Sequence, residues 1–289
     1  MEEKRNFDLL TLGQVLLRLS PPNNDRLVRG DTFVKQVGGA ELNVAVGVAL
    51  LGLRTGVISK LPSHDMGSFM KGKIRSYGVS DDFFMYDDSP SARVGIYYYE
   101  NGAYPRKPKV IYDRANSSFY SLKIDEIPEK AYTASRCFHT SGITLALSPK
   151  VRETAIEMIK RFKAAGTLVS FDVNFRGNLW TGEEAKECIE QILPYVDIFF
   201  CSEDTARLTF KKTGTAREMM KSFTEEYPIS IVASTQRIVH SPKSHTFGSI
   251  IYDARKDIYY EEEPYRDIDV VDRIGSGDAY ISGALYGLL

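Results

Sequence analysis

Cysteine is scarce in this chain: among 289 residues only Cys137, Cys188 and Cys201 occur. Their number is odd, no CxxC is present, and no histidine stands at metal-ligand spacing from them. This excludes a disulfide framework or a Cys/His zinc site as the basis of the fold, and reads as small buried apolar side chains in a reducing compartment. Net charge is equally scarce, since 37 Lys and Arg oppose 38 Asp and Glu for a formal charge of -1. A protein that grips nucleic acid without sequence preference carries a basic surplus, so no nucleic-acid partner is expected. A small anionic ligand stays allowed, because it needs only a few placed cations. Long apolar runs are missing, and no stretch approaches the ~18–20 residues that a membrane-spanning helix needs. The start, Met1-Glu2-Glu3-Lys4-Arg5-Asn6, is charged and lacks the apolar region of a secretion signal. A cytoplasmic protein with no membrane partner is the expectation.

Two nucleotide-binding motifs are also lacking. No GxxxxGK[ST] occurs, which excludes a P-loop enzyme, and no complete GxGxxG follows the first apolar run, which disfavours a dinucleotide-dependent dehydrogenase. What remains is ordinary globular composition, 43% hydrophobic and 26% charged. The length suits one or two domains and buries enough apolar surface to fold without staples.

Strand-like and helix-like segments alternate along the chain. Phe7–Leu12, Thr55–Lys60, Phe138–Gly142, Leu168–Asp172, Asp197–Cys201 and Ile229–Ala233 read as buried strands. Glu41–Leu51, Met66–Tyr77 and Pro149–Ala165 read as helices, each stopped by glycine. In the last of these Val151, Ala155, Met158, Ile159 and Phe162 fall on one face. Thr181-Gly182-Glu183-Glu184 has capping-box spacing and predicts a helix through Leu193. Such β–α alternation implies a mostly parallel sheet covered by helices on both faces, with ligands at the carboxyl ends of the strands. Two stretches break the pattern. Val15–Val37 has no helical period, and Arg93–Asp113 is rich in Tyr and β-branched residues around Asn101-Gly102. Both predict strands outside the main sheet, either a small lid over its edge or a hairpin with only a packing role. Alternation turns Tyr97 and Tyr99 one way and Tyr98 the other.

Three segments carry chemistry. In Asp272-Arg273-Ile274-Gly275-Ser276-Gly277-Asp278 the glycines expose backbone N–H groups at the start of a helix, where aligned peptide dipoles favour an anion. Asp278 in the first turn can take a proton from a hydroxyl. The same residues also suit an ordinary glycine turn with an acidic first helical turn. Gly38-Gly39 stands before a helix of small residues, where bare backbone can approach a polyhydroxylated ligand and Asn43 offers donor and acceptor. A tight strand-to-helix connection explains that segment equally. Asp172, Asn174 and Arg176 follow a buried strand at the sheet's carboxyl edge, and Arg176 suits a carboxylate or phosphate. A solvated loop anchored by Trp180 is the alternative.

Taken together and in this order, the Gly38-Gly39-Ala40…Asn43 and Asp272–Asp278 segments resemble the two signatures of the ribokinase-like (PfkB) carbohydrate kinases. Within that family, Ala40-Glu41-Leu42-Asn43, Ser141–Pro149 and Asp172-Val173-Asn174-Phe175-Arg176…Leu179-Trp180 are similar to 2-keto-3-deoxygluconate kinases. The resemblance covers essentially the whole chain. It implies a three-layer α/β sandwich with a mostly parallel central sheet and a small β-sheet lid. One domain would span residues 1–289, with lid segments at about 15–37 and 91–115. It also implies transfer of a phosphoryl group from ATP, with Mg²⁺ and in some members a monovalent cation, to the terminal hydroxyl of 2-keto-3-deoxygluconate. Asp278 would be the base, and Gly275, Ser276 and Gly277 would form the anion hole. The sugar would meet Gly38, Gly39, Asn43, Tyr97, Tyr112, Arg114, Ile143 and Arg176. The nucleotide would meet Ser202, Thr235, Gly275 and Gly277.

An acid sugar requires cations, which gives Arg114 and Arg176 a reason that a neutral hexose would not. Other sugars of the family, such as fructose or ribose, and a catalytically weak sugar-binding relative are the alternatives. Three departures from the family pattern bear on this. Ser202-Glu203-Asp204-Thr205 stands where members carry Asn-x-x-Glu, which moves metal handling to Glu203 or Asp204. Residues 233–243 replace a Thr-x-Gly-x-x-Gly turn, leaving Thr235 with Arg237 or Lys243 to meet phosphate, and His240 and His245 as polar loop residues. The chain stops at Leu289, where members continue along the adenine, so an incomplete adenine pocket is expected. The strand edges of a lid would be covered by pairing with a second copy, giving a homodimer or a higher homo-oligomer.

Overall fold

A computed structural model describes residues 5–102, 105–241, 244–272 and 274–289. The charged start Met1–Lys4, together with Lys243 and Arg273, lies outside the described residues. In chain order the strands and α-helices are β1 (Phe7–Leu12), β2 (Leu16–Ser20), β3 (Val34–Gly38), α1 (Ala40–Leu50), β4 (Thr55–Pro62), α2 (Asp65–Ser76), β5 (Val79–Ser80), β6 (Phe84–Asp87), β7 (Gly95–Glu100) and β8 (Lys109–Asp113). There follow β9 (Ser135–Ser141), α3 (Gly142–Ala146), α4 (Pro149–Ala164), β10 (Leu168–Asp172), α5 (Gly182–Glu190), β11 (Ile198–Phe200), α6 (Glu203–Leu208), α7 (Ala216–Glu226), β12 (Ile231–Ser241), β13 (Ser244–Asp253), β14 (Ile258–Glu261), β15 (Tyr265–Asp269) and α8 (Ser276–Leu288).

The main sheet runs β14-β13-β12-β11-β10-β9-β1-β4-β5, with β15 added on β13 and β6 on β4. From β12 to β5 every pairing is parallel, and the pairings of β13 are antiparallel. Parallel strands are covered on both faces, which is why β1 is buried along its whole length, Asp8 and Thr11 included. Helix α4 starts on Pro149 and is capped by Ser148 Oγ, which accepts from the Val151 N–H at 3.2 Å. Its five predicted apolar residues are all buried. Thr181 and Glu184 form the expected capping box, but α5 stops at Glu190 and a 3-10 turn takes over at Leu193–Tyr195. No helix among the described residues is long and apolar enough to cross a membrane.

A second sheet, β3-β2-β7-β8, contains the two segments that break the β–α alternation. Tyr97 and Tyr99 are buried with Leu16 on its inner face. Tyr98 points the other way and meets Phe33 edge to face. The connection at Asn101-Gly102 is wider than a two-residue turn: Glu100 pairs with Lys109, so it takes in residues 101–108, of which 103 and 104 lie outside the described residues.

Three further expectations need correction. Gly142 does not end a strand; it opens α3 behind the cap of Ser141. The strand predicted to stop at Ala233 continues as β12 to Ser241 and pairs with β13 in a long antiparallel ribbon. His240 and His245 therefore lie in strands, with His240 Nε2 2.9 Å from Thr246 Oγ1 and His245 buried. Period-2 alternation is blurred across Ser234–His240 because only the first residues of β12 are buried.

Candidate functional site

A cavity of about 1150 Å³ opens at the carboxyl ends of the parallel strands, under the second sheet. Its lining includes Gly39, Asn43, Tyr97, Tyr112, Arg114, Ile143 and Arg176 toward one end. Toward the other it includes Ser202, Glu203, Thr235 and Arg237, with Gly275–Asp278 between. Of the predicted site residues that the structure describes, only Gly38 is absent from the lining; a side chain there would stand 3.0 Å from the Tyr97 hydroxyl, so its bareness makes room for that ring.

Gly275 caps α8 with φ +78°, a left-handed conformation that glycine adopts without strain. The first N–H groups of α8 have no partner within the helix and sit at its positive end. Helix α1 lies directly against α8. Gly47 permits this, because a side chain there would stand 2.3 Å from Ser282 Oγ. The close approach brings Asn43 to Asp278, whose Oδ2 accepts from Asn43 Nδ2 at 2.7 Å.

Three carboxyls crowd this region. Burial pushes Asp278 up to about 6, against the Asn43 hydrogen bond, which favours the ionised form. Asp172 keeps some accessible surface but sits deep in the cavity wall. Burial, followed by the like charge of Asp278, pushes it up to about 7. Glu41 is 1% exposed, and its Oε1 accepts from Ser141 Oγ at 2.6 Å and Thr144 Oγ1 at 2.8 Å. Burial raises this carboxyl too.

Two guanidiniums face the same space. Arg114, 9% exposed, donates from Nε to Gln14 Oε1 at 2.7 Å and lies 5.5 Å from the Tyr112 ring centroid. Arg176 donates to its neighbour's carbonyl, Phe175 O, at 3.1 Å. Among the described residues neither guanidinium forms an ion pair with a carboxylate; burial lowers the proton affinity of Arg114, and the Glu41 carboxyl partly opposes this. Tyr97 is buried beside Tyr112, with ring centroids 6.0 Å apart, and burial pushes its hydroxyl up to about 12.

The opposite end is differently made. Ser202 Oγ caps α6 by accepting from the Thr205 N–H at 3.2 Å, so the cavity meets a hydroxyl already engaged. Glu203 is paired with Arg207 at 2.8 Å. Among the described residues no group of three or more His, Cys, Asp or Glu is placed to hold a metal ion, so no ligand set forms around Glu203. Thr235 stands on β12 opposite Ser249. Arg237 reaches across to Ser276 Oγ at 2.8 Å, joining the turn that precedes Asp278. Sequence reasoning missed Gln14 and the buried role of Glu41. Gln14 had one usable signal: it stands two residues past the end of β1, at the sheet edge where ligands gather.

A parallel sheet covered on both faces, roofed by a small sheet and holding an acid beside a helix-start glycine turn, is the architecture of a sugar kinase. The chain belongs to the pfkB family of carbohydrate kinases, whose family model matches residues 6–289. It is 33% identical over 282 residues to a 2-dehydro-3-deoxygalactonokinase of Haloferax volcanii, covering 98% of this chain and 84% of that one. It is 27% identical over 287 residues to a 5-dehydro-2-deoxygluconokinase of Listeria monocytogenes, covering 99% and 84%. Among solved structures, a 2-dehydro-3-deoxygluconokinase of Thermotoga maritima superposes with a TM-score of 0.91 at 31% identity, covering 98% and 87%.

Proposed function

We propose that this kinase transfers the γ-phosphoryl group of ATP to the terminal hydroxyl of 2-keto-3-deoxygluconate. The observation that carries the substrate class is the pair Arg114 and Arg176, two guanidiniums on one cavity that form no close ion pair among the described residues, with Glu41, Asp172 and Asp278 acting on them only from farther off. A substrate carboxylate supplies a close counter-charge, and a neutral sugar does not. Tyr97 and Tyr112 would donate hydroxyls, while Gly39, Asn43 and Ile143 would shape the rest of the sugar site.

In this reading the ionised Asp278 accepts the proton of the terminal hydroxyl. That oxygen bonds to the γ-phosphorus as the bond to the β–γ bridging oxygen breaks, and ADP leaves. The N–H groups of Gly275, Ser276 and Gly277 face the charge that develops on the transferred group. Ser202 and Thr235 would touch the nucleotide. Mg²⁺ keeps several waters and binds through phosphates and one or two carboxylates, so a preformed cage is not needed. Asp204, at the cavity wall, is the better placed carboxylate, because Glu203 is taken up by Arg207. Dependence on ATP fits the cytoplasm.

The test is ADP release measured with 2-keto-3-deoxygluconate, its galacto epimer, 5-keto-2-deoxygluconate, fructose and ribose. Turnover of acid sugars but not of neutral ones is expected. Preference for the galacto epimer is the second reading, favoured by the name of the Haloferax relative. Absence of sugar-dependent ADP release would leave only a sugar-binding role. On β8 Val110 and Tyr112 line the cavity, and the exposed Ile111 points to the opposite face, which a second copy would cover. Light scattering should report a dimer, and Ile111→Asp should return monomers.

A further inference from the structure

We propose that Gln14 is the positioning residue of the sugar site, holding the Arg114 guanidinium in place and leaving its charge for the substrate. This rests on the reading of Arg114 as a carboxylate ligand.

Gln14 lies where the chain crosses from β1 to β2, and it is 3% exposed. Its Oε1 accepts from Arg114 Nε at 2.7 Å. Its Nε2 donates to the Arg114 carbonyl at 3.0 Å and to Ser117 Oγ at 2.6 Å. The orientation of the amide is forced by its partners: a guanidinium N–H only donates and a backbone carbonyl only accepts. One planar amide thus holds both the main chain and the side chain of Arg114. It grips the Nε edge alone, and among the described residues neither terminal nitrogen of this cavity-lining guanidinium has a hydrogen-bond partner.

The space around this amide is cleared from two separate segments. A side chain at Gly95 would stand 2.8 Å from Gln14 Nε2. One at Gly39, where φ is +144°, would stand 2.6 Å from the Gln14 carbonyl. Gly39, read from the sequence as an approach point for ligand, therefore also seats Gln14. The neutrality of the amide matters as well. Arg114 is buried, and burial lowers its affinity for the proton. A buried charge without a close ion pair is costly; Glu41 acts on it from a distance, and the amide relieves a further part of that cost without cancelling the charge. The remainder is relieved when an anion enters.

The experiment compares the full-length wild type with R114A, Q14L and Q14L/R114A, using 2-keto-3-deoxygluconate and ATP. Q14L is expected to raise the sugar KM about tenfold or more, the order for a lost buried hydrogen bond to a charged group. The ATP KM stays unchanged and kcat moves little. In the R114A background Q14L adds less than about twofold, because the residue it positions is gone. Q14E keeps an acceptor for Nε but sets a counter-charge on Arg114 and loses both donated hydrogen bonds, so the sugar KM should stay raised; a wild-type sugar KM in Q14E would overturn the proposal. Equal effects of Q14L in both backgrounds would overturn the proposal, as would an unchanged sugar KM in Q14L alongside a raised one in R114A. An unchanged KM in R114A itself would instead overturn the Arg114 reading, and the positioning role with it. Should Q14L fail to fold, S117A loosens the same amide. It should raise the sugar KM about twofold or more in the wild type and not in R114A; a rise of the same size in both overturns the proposal.

Discussion

The two ends of the cavity differ in who holds their polar groups. At the sugar end, side chains are buried and tied to one another: Asn43 to Asp278, Gln14 to Arg114, and Ser141 and Thr144 to Glu41. At the phosphate end the polar groups close on themselves or face solvent. Ser202 caps its own helix, Glu203 pairs with Arg207, and β12 is partly or fully exposed from Thr235 onward. One half is therefore set before ligand arrives, and in the proposed reading the other would be completed by the nucleotide and its metal. A preorganised site loses much when one member is removed, whereas a loosely held one loses little.

The largest break should come where the halves meet. D278N should lower kcat by about 10²–10⁴, the range for loss of a general base. Its thermal midpoint should not fall, because the variant removes a carboxyl that burial disfavours. The pH profile follows from the same group. As the proposed base Asp278 would act only when ionised, and burial lifts its pKa from the usual 3.8 to about 6. Activity should therefore rise with pH through about 6 rather than through 4. Asn43→Ala removes a donor to the ionised form, so the acid limb should move to higher pH. A limb that stays near 4 in the wild type would show that Asp278 does not carry the essential proton.

The next break compares the halves directly. R176A should raise the KM for the acid sugar about tenfold, while T235V and S202A should change the KM for ATP by about fivefold or less, as for single neutral hydrogen bonds. If T235V costs as much as R176A, the asymmetry between the two ends is wrong.

How much of this was legible in the sequence follows the same division. The β–α–β alternation, the helix caps at Ser148 and Thr181 and the two glycine signatures are local patterns, and they lie where local physics puts them. The ribbon of β12, β13 and β15 escaped notice because its exposed residues lack a two-residue period, and long-range pairing rather than propensity makes them strands. Gln14 escaped for a different reason. A single glutamine carries no pattern, and its meaning comes from Arg114, which is 100 residues away in the chain. Asn43 and Asp278 were singled out separately, but their contact depends on the packing of α1 on α8, which Gly47 and Ser282 allow.

The smallest expected effect sharpens the comparison most, because it measures the cost of preorganisation. Asp172 has its pKa raised from 3.8 to about 7 by burial and by Asp278. The folded state then holds this proton more tightly than the unfolded chain does. Between about pH 4 and pH 7 the unfolded chain binds fewer protons, so stability falls as pH rises through that window. Below it the contribution of Asp172 to stability is fully present, and above it that contribution is lost. D172N removes the ionisation and should be more stable than the wild type at pH 8. The gain expected is about 2–4 °C in Tm per kcal/mol recovered for a chain of this size. At pH 5 the gain should shrink, since the wild-type carboxyl is then protonated in the fold. Equal gains at both pH values would mean that the substitution acts through packing, and that the sugar end is not holding a carboxyl against its preference for water.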